Sequence, residues 1–277
     1  MTDGFWPMPM PDRAARNPRV LILGGTAEAA ALAESLTVRC PMLRVVTSLA
    51  GRTEAPAELS GVVRVGGFGG TAGLTDYLTA EGFDALIDAT HPFAAQISAN
   101  ARQAAEQAGV PRLRVARPPW EAVVGDNWHM VANLGEAASV LPRFGRRAFL
   151  TVGRRDLDAF AACADVWFLV RLVDMPDEPL PLPDCRVIAA RGPFTEAEEA
   201  ELLARHEIDA LVCKASGGAM TYAKLAAARA RGIPVVMVSR PADVPGDRVE
   251  NVDLAVEWLL DLFKDQALNE APERRMR

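Results

Sequence analysis

The sequence predicts an α/β protein of two successive domains, each a mostly parallel sheet flanked by helices. Three observations predict it. Short apolar runs alternate with helical stretches along the chain, one proline-rich stretch interrupts that alternation near the middle, and glycines gather where the apolar runs end. At 277 residues the chain is long enough for two domains with real cores.

Residues 1–18 hold Pro7, Pro9, Pro11 and Pro18 with little periodicity and are expected to form a flexible arm. Residues 20–23 (VLIL) are a short apolar run that stops at Gly24, Gly25 and Thr26. The alanine-rich stretch 27–36 that follows contains no proline. That order reads as strand, tight turn and helix start. Further strands are expected at 43–47, 62–65, 85–88 and 112–115, with helices at 74–81 and 94–108. Arg117-Pro118-Pro119-Trp120 stops the fifth strand, and 119–127 reads as a linker. The alternation then resumes, with strands at 128–131, 148–151, 166–170, 187–190, 210–213 and 235–238. Helices are expected at 136–141, 195–206, 222–231 and 252–263. Thr195 with Glu198 is a capping box at one helix start. The domains are therefore expected at 19–118 and 128–266, followed by a polar tail at 267–277.

Parallel sheets bind ligands beyond the carboxyl ends of their strands, so those ends hold the candidate site. After the first strand, Gly24, Gly25, Thr26 and Ala27 form a turn and helix start suited to an anion, although the pattern departs from G-x-G-x-x-G. After the second strand come Ser48, Gly51 and Arg52, with no carboxylate before Glu54. A hydroxyl and a guanidinium there suit a ribose 2′-phosphate, pointing to NADP over NAD. After the third, Gly66-Gly67-Phe68-Gly69-Gly70 suggests backbone passing close to a flat ligand, with Gly67 and Phe68 as contacts. After the fourth lie Thr90 and His91. Thr90 is placed to cap the next helix, while His91 is open to three roles: neighbour of the cap, cofactor or substrate contact, or catalytic acid. In the second half, Arg191-Gly192 and Lys214-Ala215-Ser216-Gly217-Gly218 pair cations with glycines at strand ends and suggest an anion-binding rim. The arginine clusters at 112, 114 and 117 and at 143, 146 and 147 read as solvated faces, or as a field steering a polyacid.

A formal charge of −6 and a pI near 5.3 argue against a nucleic-acid surface. No apolar run approaches bilayer length and residues 1–17 lack a signal-peptide core, so a cytoplasmic protein is expected. Cys40, Cys163, Cys185 and Cys213 form no C-x-x-C pair and read as buried thiols, and no clustered metal-ligand set appears. Tyr-x-x-x-Lys, G-x-S-x-G and the P-loop pattern are all missing. Hydride transfer from a bound nicotinamide remains compatible, since it needs no protein nucleophile.

In this order and spacing, ILGGTAEA at 22–29, TSLAGRT at 47–53, VGGFGGTAGL at 65–74, DATHPFAAQIS at 88–98, ARGPF at 190–194, DALVCKASGG at 209–218 and GIPVVMVSRP at 232–241 resemble the precorrin-6A reductase family of cobalamin biosynthesis. The resemblance spans almost everything between Arg19 and Pro241. It implies two Rossmann-like domains with NADPH and a tetrapyrrole polycarboxylate in the cleft between them, and reduction of a macrocyclic double bond of precorrin-6A to give precorrin-6B. It implies that Gly24, Gly25, Thr26, Ser48 and Arg52 meet the NADPH phosphates, and that Thr90 and His91 lie on the nicotinamide side. Lys214, Ser216, Gly217 and Gly218 then close the cleft, and His91 is the one candidate catalytic residue. Two alternatives stay open: a reductase of the cobalt-containing substrate of the anaerobic route, and a non-enzymatic NADP sensor.

Overall fold

The computed structural model describes residues 16–51 and 59–268. Residues 1–15 of the expected arm, Arg52, and residues 269–277 lie outside the described residues. Arg16, at the end of the expected arm, is tied down, its guanidinium donating to the Gly82 carbonyl and pairing with Asp84 at 3.0 Å.

The first half builds β1 (Arg19–Leu23), α1 (Ala27–Arg39), β2 (Arg44–Leu49), β3 (Val62–Val65), α2 (Thr71–Ala80), β4 (Ala85–Asp88), α3 (Ala95–Ala108) and β5 (Arg112–Val115). The second half builds β6 (Trp128–Val131), α4 (Leu134–Val140), β7 (Arg147–Leu150), β8 (Trp167–Leu172), β9 (Cys185–Ala189), α5 (Glu196–Arg205), β10 (Ala210–Lys214), α6 (Ala223–Ala230) and β11 (Val235–Val238). Strand β12 (Arg248–Val249) and helix α7 (Val252–Leu268) close the described chain.

Two six-stranded sheets result, ordered β12-β5-β4-β1-β2-β3 and β6-β11-β10-β7-β8-β9, and each strand pairs parallel to its neighbours. The central strands are apolar along their middles, as strands covered on both faces must be: Val20, Leu21 and Ile22 of β1 and Leu211 and Val212 of β10 have no accessible surface. This is the doubly wound, Rossmann-like architecture expected from the alternation.

The two orders correspond strand for strand, except that the sixth position is exchanged. Beside β5 stands β12, which follows the whole second sheet in sequence, and beside β11 stands β6, which precedes it. The expectation that residues up to 266 belong to the second domain is therefore corrected. Ala255, Val256, Leu259 and Phe263 of α7 pack into the core around β1 and α1. Helix α7 buries its apolar stripe where the first sheet offers a complementary face, beside Leu32 and Leu36 of α1. Arg114 of β5 pairs with Asp243 at 3.2 Å on the approach to β12, which strengthens the return.

Arg112 and Arg114 are not a solvated face. Their side chains are 6% exposed and lie near the fully buried Asp88. Arg143 and Arg146 are exposed, as expected for the second cluster. All four cysteines are free thiols, three of them buried.

Candidate active site

Each sheet reverses its strand order at one point, between β1 and β4 in the first and between β7 and β10 in the second. Loops leaving the sheet there diverge and open a crevice. At the first reversal the turn after β1 meets the end of β4. Gly25 adopts φ +101°, a region open to glycine, and Thr26 is the N-cap of α1, its hydroxyl accepting from the Ala29 amide at 3.1 Å. The same hydroxyl donates to the Ala89 carbonyl at 2.7 Å, stitching the two strand ends together. Among the described residues, the backbone amides of Gly25, Thr26 and Ala27 have no acceptor, so three free donors lie at the positive end of a 13-residue helix. A Cβ on Gly24 would stand 3.0 Å from the Thr47 side chain, so packing as well as any ligand demands glycine there.

Glu28, in the first turn of α1, places a carboxylate beside this amide cluster. Arg117 pairs with it at 2.7 Å, and although burial pushes the Glu28 carboxyl pKa up, its bonds to Arg117 bring the net shift below the ordinary value. At the end of β2, Ser48 is buried, and its backbone carbonyl accepts from Gly24 at 2.9 Å. The glycine loop has a more local explanation than the one expected. Gly66, Gly69 and Gly70 all have positive φ, and a Cβ on Gly73 would sit 1.8 Å from the Phe68 carbonyl, so these glycines serve the chain's own turn. Gly67 has ordinary φ and open space around it, while the Phe68 ring is stacked on Arg64 at 3.9 Å.

Thr90 does not cap α3, whose N-cap is Ala94. The Thr90 hydroxyl instead donates to Asp88 at 2.7 Å, because a fully buried carboxylate takes the nearest donor. His91 is half-buried, and its Nδ1 accepts from the Phe93 amide at 3.2 Å, leaving Nε2 to carry the proton of the neutral ring. Burial first, and then the charges of Arg117, Lys214 and Arg240, hold its pKa down at about 4. At neutral pH this holds the ring in its uncharged form, with Nε2 as a hydrogen-bond donor.

At the second reversal, Lys214 ends β10 and donates to Asp156 at 2.7 Å, spanning the β7 and β10 crevice. Asp156 is fixed in turn by the Gly153 amide at 3.0 Å. The Lys214 ammonium lies 5.1 Å from the centre of the Phe93 ring, and Phe93 packs on the second-sheet core. Phe93 follows β4, so the two reversal points face each other across this contact.

The joint is tied by two arginines that the strand-end reading passed over. Arg117 donates through Nε to the Ser216 carbonyl at 2.8 Å while holding Glu28. Arg240 donates to the carbonyls of Ala215, Arg117 and Ser216 at 2.7, 2.9 and 2.8 Å. Trp120 of the linker donates to the Gly218 carbonyl at 2.7 Å. Gly217 and Gly218 are required by this packing: a Cβ at 217 would lie 2.2 Å from the Pro118 carbonyl, and one at 218 would lie 2.8 Å from Arg117. Arg191 is exposed beyond β9, three strands from β10, and is not brought to Lys214 through the sheet. Asp156 and Arg240 were not singled out, and Arg117 was read only as part of a solvated or steering cluster, because their roles depend on contacts 58 to 123 residues away in sequence. Arg117 and Arg240 shared one local signal, each standing two residues beyond the end of a strand, β5 and β11.

The family model described as "Precorrin-6x reductase CbiJ/CobK" matches residues 19–260. Curated relatives include the precorrin-6A reductase of Rhodococcus erythropolis, 49% identical over 87% of this chain and 97% of the relative, and that of Rhodobacter capsulatus, 47% identical over 88% and 96%. The cobalt-precorrin-6A reductase of Priestia megaterium is 31% identical over 80% of this chain and 90% of the relative. Among solved structures, one titled "CobK precorrin-6A reductase" superposes with a TM-score of 0.83 at 46% identity, covering 88% of this chain and 97% of that one. With nearly whole-length agreement in both sequence and fold, this chain belongs to the precorrin-6x reductase family.

Proposed function

We propose that this chain is a cytoplasmic precorrin-6A reductase that transfers a hydride from NADPH to a double bond of the macrocycle, giving precorrin-6B. The observation that carries the substrate is the gap between two groups of relatives. Five precorrin-6A reductases are 45 to 49% identical to this chain, whereas three cobalt-precorrin-6A reductases are 29 to 31% identical.

The residues fit the cofactor. Free amides at Gly25, Thr26 and Ala27 suit a pyrophosphate, with Gly24 admitting the close strand packing beneath. Ser48 and Arg52 are assigned to the 2′-phosphate, with Gly67 and Phe68 beside the adenosine. NADPH supplies the hydride when bound. Thr26 works through its backbone, since its hydroxyl is committed to Ala29 and Ala89. Thr90 holds Asp88 and thereby fixes the loop that carries His91. Neutral His91 offers an Nε2 proton as a hydrogen-bond donor on the nicotinamide side. Lys214, Ser216, Gly217 and Gly218 close the cleft from the second sheet, and Lys214 and Arg191 carry charge opposite to a tetrapyrrole polycarboxylate. An NADP sensor would present an apolar surface where these cations stand.

Anaerobic mixing with precorrin-6A and NADPH tests the reading, with NADPH absorbance and the tetrapyrrole spectrum followed together and the run repeated with NADH and with cobalt-precorrin-6A. Coupled loss of NADPH and a changed macrocycle chromophore are expected with precorrin-6A. Turnover confined to the cobalt substrate would overturn the substrate, and binding without turnover on either would overturn the enzyme.

A further inference from the structure

Arg64 stands at the cofactor edge, and the order of residues in the sequence did not single it out. It is the third residue of β3, in register with Ser48 of β2, which is itself in register with Leu23 at the end of β1. Residues in register point to the same face, so Ser48 and Arg64 form a row leading away from the β1 turn, one strand spacing of about 4.8 Å per step. Backbone bonds hold this edge in place: the Gly24 amide donates to the Ser48 carbonyl and the Gly66 amide to the Leu49 carbonyl, both at 2.9 Å.

The guanidinium is held flat, with its carbon 3.9 Å from the Phe68 ring centre and 5.1 Å from that of Tyr77. Nη1 donates to the Gly66 carbonyl and to Ser48 Oγ at 3.3 Å, and Nη2 donates to the Gly67 carbonyl at 2.9 Å. Of the five N–H groups of an arginine, the Nε proton and one Nη2 proton are left over. Ser48 Oγ accepts from Arg64, so its own proton is available to donate. Among the described residues no carboxylate pairs with Arg64, and the end of β2 (Ser48-Leu49-Ala50-Gly51) is without an acid. A fixed cation with spare donors and an adjacent hydroxyl suits a phosphate monoester, and a ribose hydroxyl would leave its charge unanswered.

We propose that Arg64, with Ser48, receives the ribose 2′-phosphate and is the residue that sets preference for NADPH over NADH. The inference rests on the NADPH reading above and adds a discriminating residue to it. Its test uses the full chain, no macrocycle and no hydride: titration calorimetry with 2′,5′-ADP and with 5′-AMP. The wild type is expected to bind 2′,5′-ADP at least about tenfold more tightly than 5′-AMP, as an arginine–phosphate contact at a partly buried site allows. Arg64→Met should bring that ratio down by about tenfold while 5′-AMP binding stays within about twofold. Arg64→Gln keeps an amide donor for the Gly66 and Gly67 carbonyls without the charge, and it decides the matter if the methionine variant does not fold. A preference that survives in both variants and disappears in Arg52→Met overturns the proposal, as does an equal loss of both ligands, which marks Arg64 as a loop brace. A wild type with no preference for 2′,5′-ADP removes the NADPH reading itself.

Discussion

At the scale of single residues, positive charge gathers around one ring of the candidate site, although Arg117 is paired with Glu28 and Lys214 with Asp156. His91 meets Arg117, Lys214 and Arg240, and burial adds to their effect, lowering its pKa from 6.5 to about 4. The consequence for stability has a definite sign. Above pH 6.5 the ring is neutral folded and unfolded, so the shift has no effect. Between pH 6.5 and 4 the unfolded chain binds a proton that the folded one refuses, and stability falls as pH falls. His91→Gln should therefore lose about 3 kcal/mol less than the wild type between pH 7 and pH 4, read from urea unfolding at each pH. Equal losses in the two proteins would show that the ring does not carry this charge penalty.

At the scale of elements, the turns after strands carry the site, and their glycines answer different demands. Gly217 and Gly232 have nearly the same φ, +67° and +66°, but a Cβ at 217 meets the Pro118 carbonyl at 2.2 Å while one at 232 meets nothing within 4 Å. Gly232→Ala should cost about 1 kcal/mol, the penalty of a left-handed alanine. Gly217→Ala adds a collision with backbone across the joint and should cost roughly 3 kcal/mol in denaturant unfolding. Similar costs at the two positions would mean that the 214–218 turn yields freely and that the linker does not lock it. The same comparison separates turn chemistry, which is local, from turn packing, which requires the far side to be in place.

At the scale of the whole molecule, the exchanged sixth strands make the two sheets interdependent. Strand β12 and helix α7 complete the first sheet from beyond the second, while β6 and β11 pair inside the second. The protein should melt in one calorimetric transition, and Leu259→Ala in the fully buried face of α7 should destabilise that whole transition by roughly 2–5 kcal/mol. A second transition left unmoved by Leu259→Ala would show that the second sheet folds without the first.

Much of this architecture was legible from one-dimensional patterns. Periodicity located β1 to β11 and α1 to α7 because a covered parallel strand must be apolar and a covered helix must carry a stripe, and both demands are local. The turn after β1 was legible because Gly25 and the Thr26 cap are written within four residues of one another. Strand β12 was not, since its two residues carry no period and pair only because Arg114, Asp243 and the edge of β5 hold them. The same holds for the site. Its glycines and Lys214 stand at strand ends that the sequence marks, but the sequence could not say that Thr90 turns inward to Asp88. Nor could it say that Arg117 and Arg240 gather four backbone carbonyls at the joint, or that Arg64 comes into register with Ser48. The sequence by itself determined the elements and the chemistry available at their ends. Tertiary structure alone decided which sheet the last strand joined, and which charges met, because pairing and desolvation depend on distances that chain order does not encode.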